Sequence, residues 1–76
     1  METTTSKQDM TRLLRRAQRF QANTRHCVSI STYYDHRGLW FALDVIADGK
    51  ILSVGIYRFR SVEENAAVLY NLINNL

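Results

Sequence analysis

The dipeptide Asp48-Gly49 constrains this chain more than any other feature, because it separates two stretches in which apolar residues alternate with others. Asp-Gly favours a two-residue type I′ hairpin turn, which needs positive φ at both central positions. The flanking residues then pair outward from Ala47 opposite Lys50. A slip of one residue would exchange the two faces of the hairpin, so the pattern supports this register. One face receives a set of apolar side chains: Phe41, Leu43, Val45, Leu52, Val54 and Ile56.

A third strand is predicted before the turn sequence Asp35-His36-Arg37-Gly38. Pairing Tyr34 with Leu39 across this turn brings Val28, Ile30 and Thr32 to the same apolar face, since side chains alternate along a strand. Residues 26–59 are therefore predicted to form a three-stranded antiparallel meander. We call its apolar face the inner face and the opposite one the outer face.

Helices are predicted on either side of the meander, over residues 6–22 and 61–76. Ser6 is a good N-cap for the first, and Ser61-Val62-Glu63-Glu64 matches a capping box for the second. Both segments carry apolar residues at spacings of three and four. We expect both helices to cover the inner face, giving a two-layer α+β fold of order α-β-β-β-α in a single small domain, with residues 1–5 disordered.

The predicted outer face carries large aromatic and aliphatic side chains and almost no charge. Strand propensity explains aromatic residues in part, but Trp and Tyr also favour contact surfaces. A second copy, related by a two-fold axis, is the simplest partner and implies a homodimer. Asp44 would then need a donor from Ser29, Ser53 or the partner. The predicted interface residues are Tyr33, Trp40, Tyr57, Ile46, Ile51 and Asp44, with Tyr33, Trp40 and Tyr57 in one row.

The basic residues are concentrated at the start of the chain. Residues 1–25 carry a net charge of +4 and residues 26–76 a net charge of −1. Within the first predicted helix, Arg12, Arg15, Arg16 and Arg19 share the side away from Leu13. This pattern is typical of a solvated helix face, and it also suits a phosphate-binding ridge or an acidic protein partner.

Catalytic and cofactor motifs are not found. His26 and Cys27 are adjacent on a predicted strand and point to opposite faces, and no Ser-His-Asp or metal-ligand spacing occurs. We therefore expect no enzyme activity, no cofactor and no metal. Cys27 is the only cysteine, and no secretory signal or membrane-length apolar run is present. These observations lead us to expect a cytoplasmic protein without a membrane partner.

Residues 41–50, Phe-Ala-Leu-Asp-Val-Ile-Ala-Asp-Gly-Lys, resemble the second strand and hairpin of the double-stranded-RNA-binding domain. The predicted order of elements is also that of this family. The resemblance implies the topology. It does not extend to the function, because the family places lysines that contact phosphates at the start of its last helix. This chain has Ser61-Val62-Glu63-Glu64 there, and the proline-bearing loop between the first two strands is missing.

Two functional hypotheses follow. The first is a non-enzymatic binding module that self-associates through the outer face and acts as an accessory, adaptor or inhibitor protein. The second is a nucleic-acid-binding protein. It would use the arginine-rich helix, base stacking on the sheet aromatics, or both.

Overall fold

The structure, a computed structural model, describes residues 4–32 and 39–76. It contains helix α1, three strands in a single antiparallel sheet of order β1-β2-β3, and helix α2. This arrangement confirms the predicted α+β fold with a β-meander. The elements are α1 (Lys7–Asn23), β1 (Cys27–Thr32), β2 (Leu39–Ala47), β3 (Lys50–Tyr57) and α2 (Val62–Asn74).

The hairpin turn between β2 and β3 has the predicted geometry. Asp48 has φ 52° and Gly49 has φ 78°, as a type I′ turn requires. Pairing begins at Ala47 opposite Lys50, as predicted. The predicted register of β1 against β2 is also confirmed, from Cys27↔Ile46 to Thr32↔Phe41. The predicted turn over residues 35–38 and the Tyr34 pairing lie outside the described residues.

The core lies between the inner face of the sheet and the two helices. Helix α1 packs on β1 and β2, helix α2 packs on β3, and the helices contact each other. Both helices therefore cover the same face, as expected. Each contributes a stripe of side chains spaced by three and four along its axis. The buried hydrophobic residues are Met10, Leu13, Ala17, Phe41, Leu43, Val45, Ala47, Ile56, Leu69 and Leu72.

Both helices begin at the predicted serine caps. The Ser6 hydroxyl accepts a hydrogen bond from the Asp9 amide at 3.2 Å, and the Ser61 hydroxyl accepts one from the Glu64 amide at 3.2 Å. Each serine is the cap, so each helix starts one residue later than the predicted ranges. Helix α1 ends at Asn23, one residue later than predicted, and α2 ends before the last two residues.

The prediction that residues 1–5 are disordered is wrong at Thr5, which is only 1% exposed. Its amide donates to the Arg58 carbonyl at 2.9 Å, and its hydroxyl donates to the Arg60 carbonyl at 2.7 Å. The Asn65 side-chain amide donates to the same hydroxyl at 2.9 Å. A buried polar side chain is tolerated when it is hydrogen-bonded, and the partners here are distant in sequence.

The predicted pairing of Trp40 with Tyr57 is also wrong. The register shifts between Leu39 and Phe41, so that Leu39 lies opposite Tyr57. Such a bulge adds one residue to one strand and re-aims the neighbouring side chains. Trp40 is half-buried and packs against the hydrophobic core.

Candidate functional site

A groove of about 490 Å³ runs between α1 and α2. Its α1 wall carries the four arginines predicted to share one helix side, and all four are exposed. Its α2 wall carries Val62, Ala66 and Tyr70, which are spaced by four residues. A different stripe of α2, which includes Asn65 and Leu69, is buried in the core. The stripe of Val62, Ala66 and Tyr70 therefore lies beside α1. We call this space the arginine groove. Its lining residues are Asp9, Arg12, Leu13, Arg15, Arg16, Arg19, Val62, Ala66 and Tyr70.

The arginines differ in their partners. An Arg12 nitrogen lies 3.4 Å from an Asp9 carboxylate oxygen, and this is the single ion pair within residues 4–32 and 39–76. The Arg16 guanidinium lies 4.6 Å from the centre of the Tyr70 ring, which is a cation–π contact. Arg15 and Arg19 have no carboxylate partner among the described residues. The groove therefore holds uncompensated positive charge.

The two ends of the arginine groove differ in charge. Asp9 and Val62 line the end where both helices begin, and the next residues of α2, Glu63 and Glu64, are exposed and acidic. Asp9 is also engaged, because it accepts hydrogen bonds from the Ser6 hydroxyl and from Arg12. The excess positive charge consequently lies toward the later turns of α1.

A second pocket of about 350 Å³ adjoins the basic end of the groove and shares Arg16 and Arg19 with it. Its other lining residues are Phe20, Asn23 and Ile73. Phe20 and Ile73 are half-buried and apolar, whereas the exposed Asn23 amide can both donate and accept hydrogen bonds. The two pockets form one surface in which guanidinium groups lie beside apolar side chains and an amide.

The outer face is covered by no described element. Ile46 is 47% exposed and Ile51 is 70% exposed, and they form a cross-strand row with the exposed Cys27. The Ser53 hydroxyl donates to an Asp44 carboxylate oxygen at 2.5 Å. Ser53 is therefore the donor that Asp44 was predicted to need.

Trp40 and Tyr57 of the predicted interface do not lie in the expected cross-strand pair. Tyr33 lies outside the described residues, and Trp40 is displaced by the bulge. Tyr57 has the Arg60 guanidinium 4.7 Å from its ring centre, with the Phe59 ring 5.0 Å away. Arg60 also donates to the Gly55 carbonyl at 3.2 Å. The Tyr57 ring is thus already in contact with its own chain.

The remaining candidate chemistry is limited in the described part of the chain. There, three or more His, Cys, Asp or Glu side chains do not come together in a way that could hold a metal ion. Residues 4–32 and 39–76 also contain no helix with the length and hydropathy needed to cross a bilayer.

Sequence reasoning missed the α2 side of the groove. Tyr70 lines the groove from α2, and Phe20, Asn23 and Ile73 line the adjoining pocket, yet none was predicted as a site residue. The Val62-Ala66-Tyr70 spacing was a usable signal, because residues four apart lie on one side of a helix. Which side faces α1 depends on packing that the spacing does not specify.

No protein-family model, no curated protein and no solved structure matches this chain. The likeness to the double-stranded-RNA-binding domain therefore rests on the order of elements and one hairpin. Its phosphate-contacting position is occupied here by the exposed Glu63 and Glu64.

Proposed function

We propose that this protein is a non-enzymatic binding module that binds the phosphate backbone of nucleic acid in the arginine groove. The observation that carries the proposal is the set of four exposed arginines along one groove, of which only Arg12 has a carboxylate partner among the described residues. That pair is exposed, and surface pairs of this kind contribute little, so Arg12 can also exchange its partner.

Guanidinium groups suit this task because their planar donors match phosphate oxygens in pairs. Neighbouring arginines on one helix also repel each other, and a bound polyanion removes that repulsion. The α2 wall supports the same reading, because Tyr70 holds the Arg16 guanidinium in place by the cation–π contact. A guanidinium held in this way loses less side-chain freedom when it binds.

The first prediction concerns two arginines without a carboxylate partner in the described chain. Arg15→Gln/Arg19→Gln should weaken binding of a labelled oligonucleotide about tenfold or more at low salt, measured by fluorescence anisotropy. Repeating the titration between about 50 and 200 mM salt gives the slope of log K against log salt, which should become shallower by about 1.4, or about 0.7 for each lost contact with a single strand.

The matched control is Arg25→Gln/Arg58→Gln. Both residues are exposed, neither lines the groove, and the double substitution removes the same charge. This control should change the affinity for the oligonucleotide less than about threefold, because it reduces only the long-range electrostatic attraction that depends on the net charge of the protein. Equal losses in the two double variants would show that net charge, and not the groove, determines binding. Undetectable binding by the native chain at low salt would contradict the proposal.

Self-association through the outer face is the second candidate function, in an accessory, adaptor or inhibitor role. The exposed row of Cys27, Ile46 and Ile51 favours it, because contiguous apolar side chains on an uncovered sheet are typical of contact surfaces. Trp40 is half-buried, so the proposed contact depends mainly on the more exposed Ile46 and Ile51, which were also predicted as interface residues.

The second prediction is that Ile51→Glu converts a dimer into a monomer, as measured by sedimentation velocity across a dilution series. A buried, unpaired carboxylate in the centre of a sheet-to-sheet contact is costly, so the dimer should not form. Ala67→Glu is the control, since it adds the same charge at an exposed position of α2. A native chain that sediments as a monomer at every concentration would remove this candidate.

A further inference from the structure

We propose that the arginine groove selects single-stranded nucleic acid over duplex, with phosphates on the arginines and an unstacked base against the α2 wall. This inference rests on the nucleic-acid binding proposed above and adds the class of ligand. It is carried by the contrast between the two walls of the groove and by the pocket at its basic end.

The two walls offer different chemistry. Arg15 and Arg19 extend from α1 with no carboxylate partner in the described chain, whereas Val62, Ala66 and Tyr70 form a largely apolar wall on α2. A duplex presents phosphates and sugars on its outside, and its base faces are stacked inside the helix. It would contact the arginines and leave the apolar wall unused. A single strand offers a charged backbone and the flat face of a base together.

Tyr70 and Arg16 provide a platform for stacking. Tyr70 is 37% exposed, and the exposed Arg16 guanidinium lies over its ring at 4.6 Å. Guanidinium planes and aromatic rings are the surfaces on which unstacked bases pack in single-strand recognition. A base placed on the open side of the Arg16 guanidinium would extend the stack that Tyr70 begins.

The pocket at the basic end has the composition of a base site. Phe20 and Ile73 supply apolar contacts, and Asn23 supplies a donor and an acceptor for the edge of a base. Arg16 and Arg19 line the same pocket, so a phosphate attached to that base would lie beside two guanidinium groups.

The acidic end of the groove also disfavours a duplex. A duplex aligned with α1 would carry its continuous phosphates past Asp9, which lines that end of the groove and repels them. A short stretch of single strand can occupy the basic end alone. The charge gradient along the groove therefore favours a short, flexible ligand over a long, rigid one.

The test compares four probes of equal length on the native chain by fluorescence anisotropy: a mixed-sequence single strand, the same strand in a duplex, an abasic single strand and polyglutamate. The mixed-sequence strand should bind about tenfold more tightly than the duplex and the abasic strand, because stacking of one base contributes about this much. Polyglutamate should bind most weakly. This comparison needs no variant, so it does not depend on the folding of one.

The third prediction adds variants of the α2 wall and the pocket. Tyr70→Ala should weaken binding of the mixed-sequence strand about tenfold and weaken the duplex less, because the duplex loses only the support that Tyr70 gives Arg16, whereas the strand also loses the stacking surface. Tyr70→Phe keeps the ring and should bind as the native chain does. Asn23→Ala, at an exposed helix end, should weaken the mixed-sequence strand but not the abasic one. Circular dichroism confirms that each variant is folded.

The outcomes separate this inference from the proposed function. Equal affinity for the single strand, the duplex and the abasic strand, with a loss on all three in Arg15→Gln/Arg19→Gln, would overturn single-strand selection and keep phosphate binding. If polyglutamate binds as tightly as the nucleic acids, both the single-strand selection and the proposed phosphate binding are overturned, and an acidic protein partner is favoured. Tighter binding of the duplex would overturn the inference alone.

Discussion

The side chain of Asn65 forms hydrogen bonds with two segments that are far from each other in sequence. It is fully buried near the start of α2. Its side-chain amide donates to the Tyr57 carbonyl at 2.8 Å and to the Thr5 hydroxyl, and its carbonyl oxygen accepts from the Tyr57 amide at 3.3 Å. One side chain thus joins the end of β3, the start of α2 and the segment before α1.

The fourth prediction is that Asn65→Ala lowers the free energy of unfolding by about 2–4 kcal/mol, because buried donors and acceptors of Tyr57 and Thr5 lose their partner. The measurement is the midpoint of urea unfolding followed by circular dichroism. Asn71→Ala, at an exposed position of the same helix, is the control and should change stability by less than about 0.5 kcal/mol. Equal effects of the two substitutions would show that the Asn65 bonds add nothing beyond helix propensity.

Residue-level prediction succeeded where local chemistry decides and failed where packing decides. The Asp48-Gly49 turn fixes the register of β2 and β3, and the alternation of side chains then identifies Phe41, Leu43 and Val45 as core. The bulge beside Trp40 and the burial of Thr5 depend on contacts distant in sequence. The alternation of side chains along a strand does not indicate where one strand has an extra residue. The predicted register of β2 and β3 was therefore wrong from Trp40 outward.

At the level of elements, the β2–β3 hairpin is the most strongly specified part of the fold. Gly49 has φ 78° and no heavy atom near the position of a Cβ, so a side chain there would meet backbone strain but no clash. A substitution of Gly49 therefore changes stability through the backbone conformation of the turn and not through steric clashes. This separation makes the hairpin a clean place to measure what the turn contributes.

The fifth prediction is that Gly49→Ala lowers the free energy of unfolding by about 1–2 kcal/mol, the usual cost of a left-handed conformation for a residue with a Cβ. Gly49→Asn is the matched comparison and should cost less, since asparagine tolerates positive φ. Thermal unfolding of the two variants checks this order. Alanine and asparagine variants of equal stability would contradict the type I′ geometry.

The helices show how far a candidate site can be predicted from sequence. The spacing of Arg12, Arg15, Arg16 and Arg19 placed them on one side of α1, and in the structure all four are exposed and line one groove. The facing wall was not predicted, because the apolar spacing of α2 does not distinguish the buried residues Asn65, Leu69 and Leu72 from Val62 and Ala66, which line the groove. The sequence therefore predicted the arginines of the α1 wall but not the residues of the α2 wall.

For the whole molecule, the two-layer arrangement separates two candidate surfaces. The arginine groove lies in the helical layer, and the row of Cys27, Ile46 and Ile51 lies on the opposite side of the sheet. Association through the outer faces would leave the groove of each copy open. The two proposed functions are therefore compatible.

The most direct measurement is a titration of the isotopically labelled protein with the mixed-sequence single strand, followed by amide chemical-shift perturbation. We predict salt-sensitive shifts that concentrate on α1 and α2 around Arg15, Arg19 and Tyr70, with little change at Ile46 and Ile51. Shifts that concentrate on the outer face of the sheet would contradict this prediction, because base stacking there would leave the arginine groove without a role.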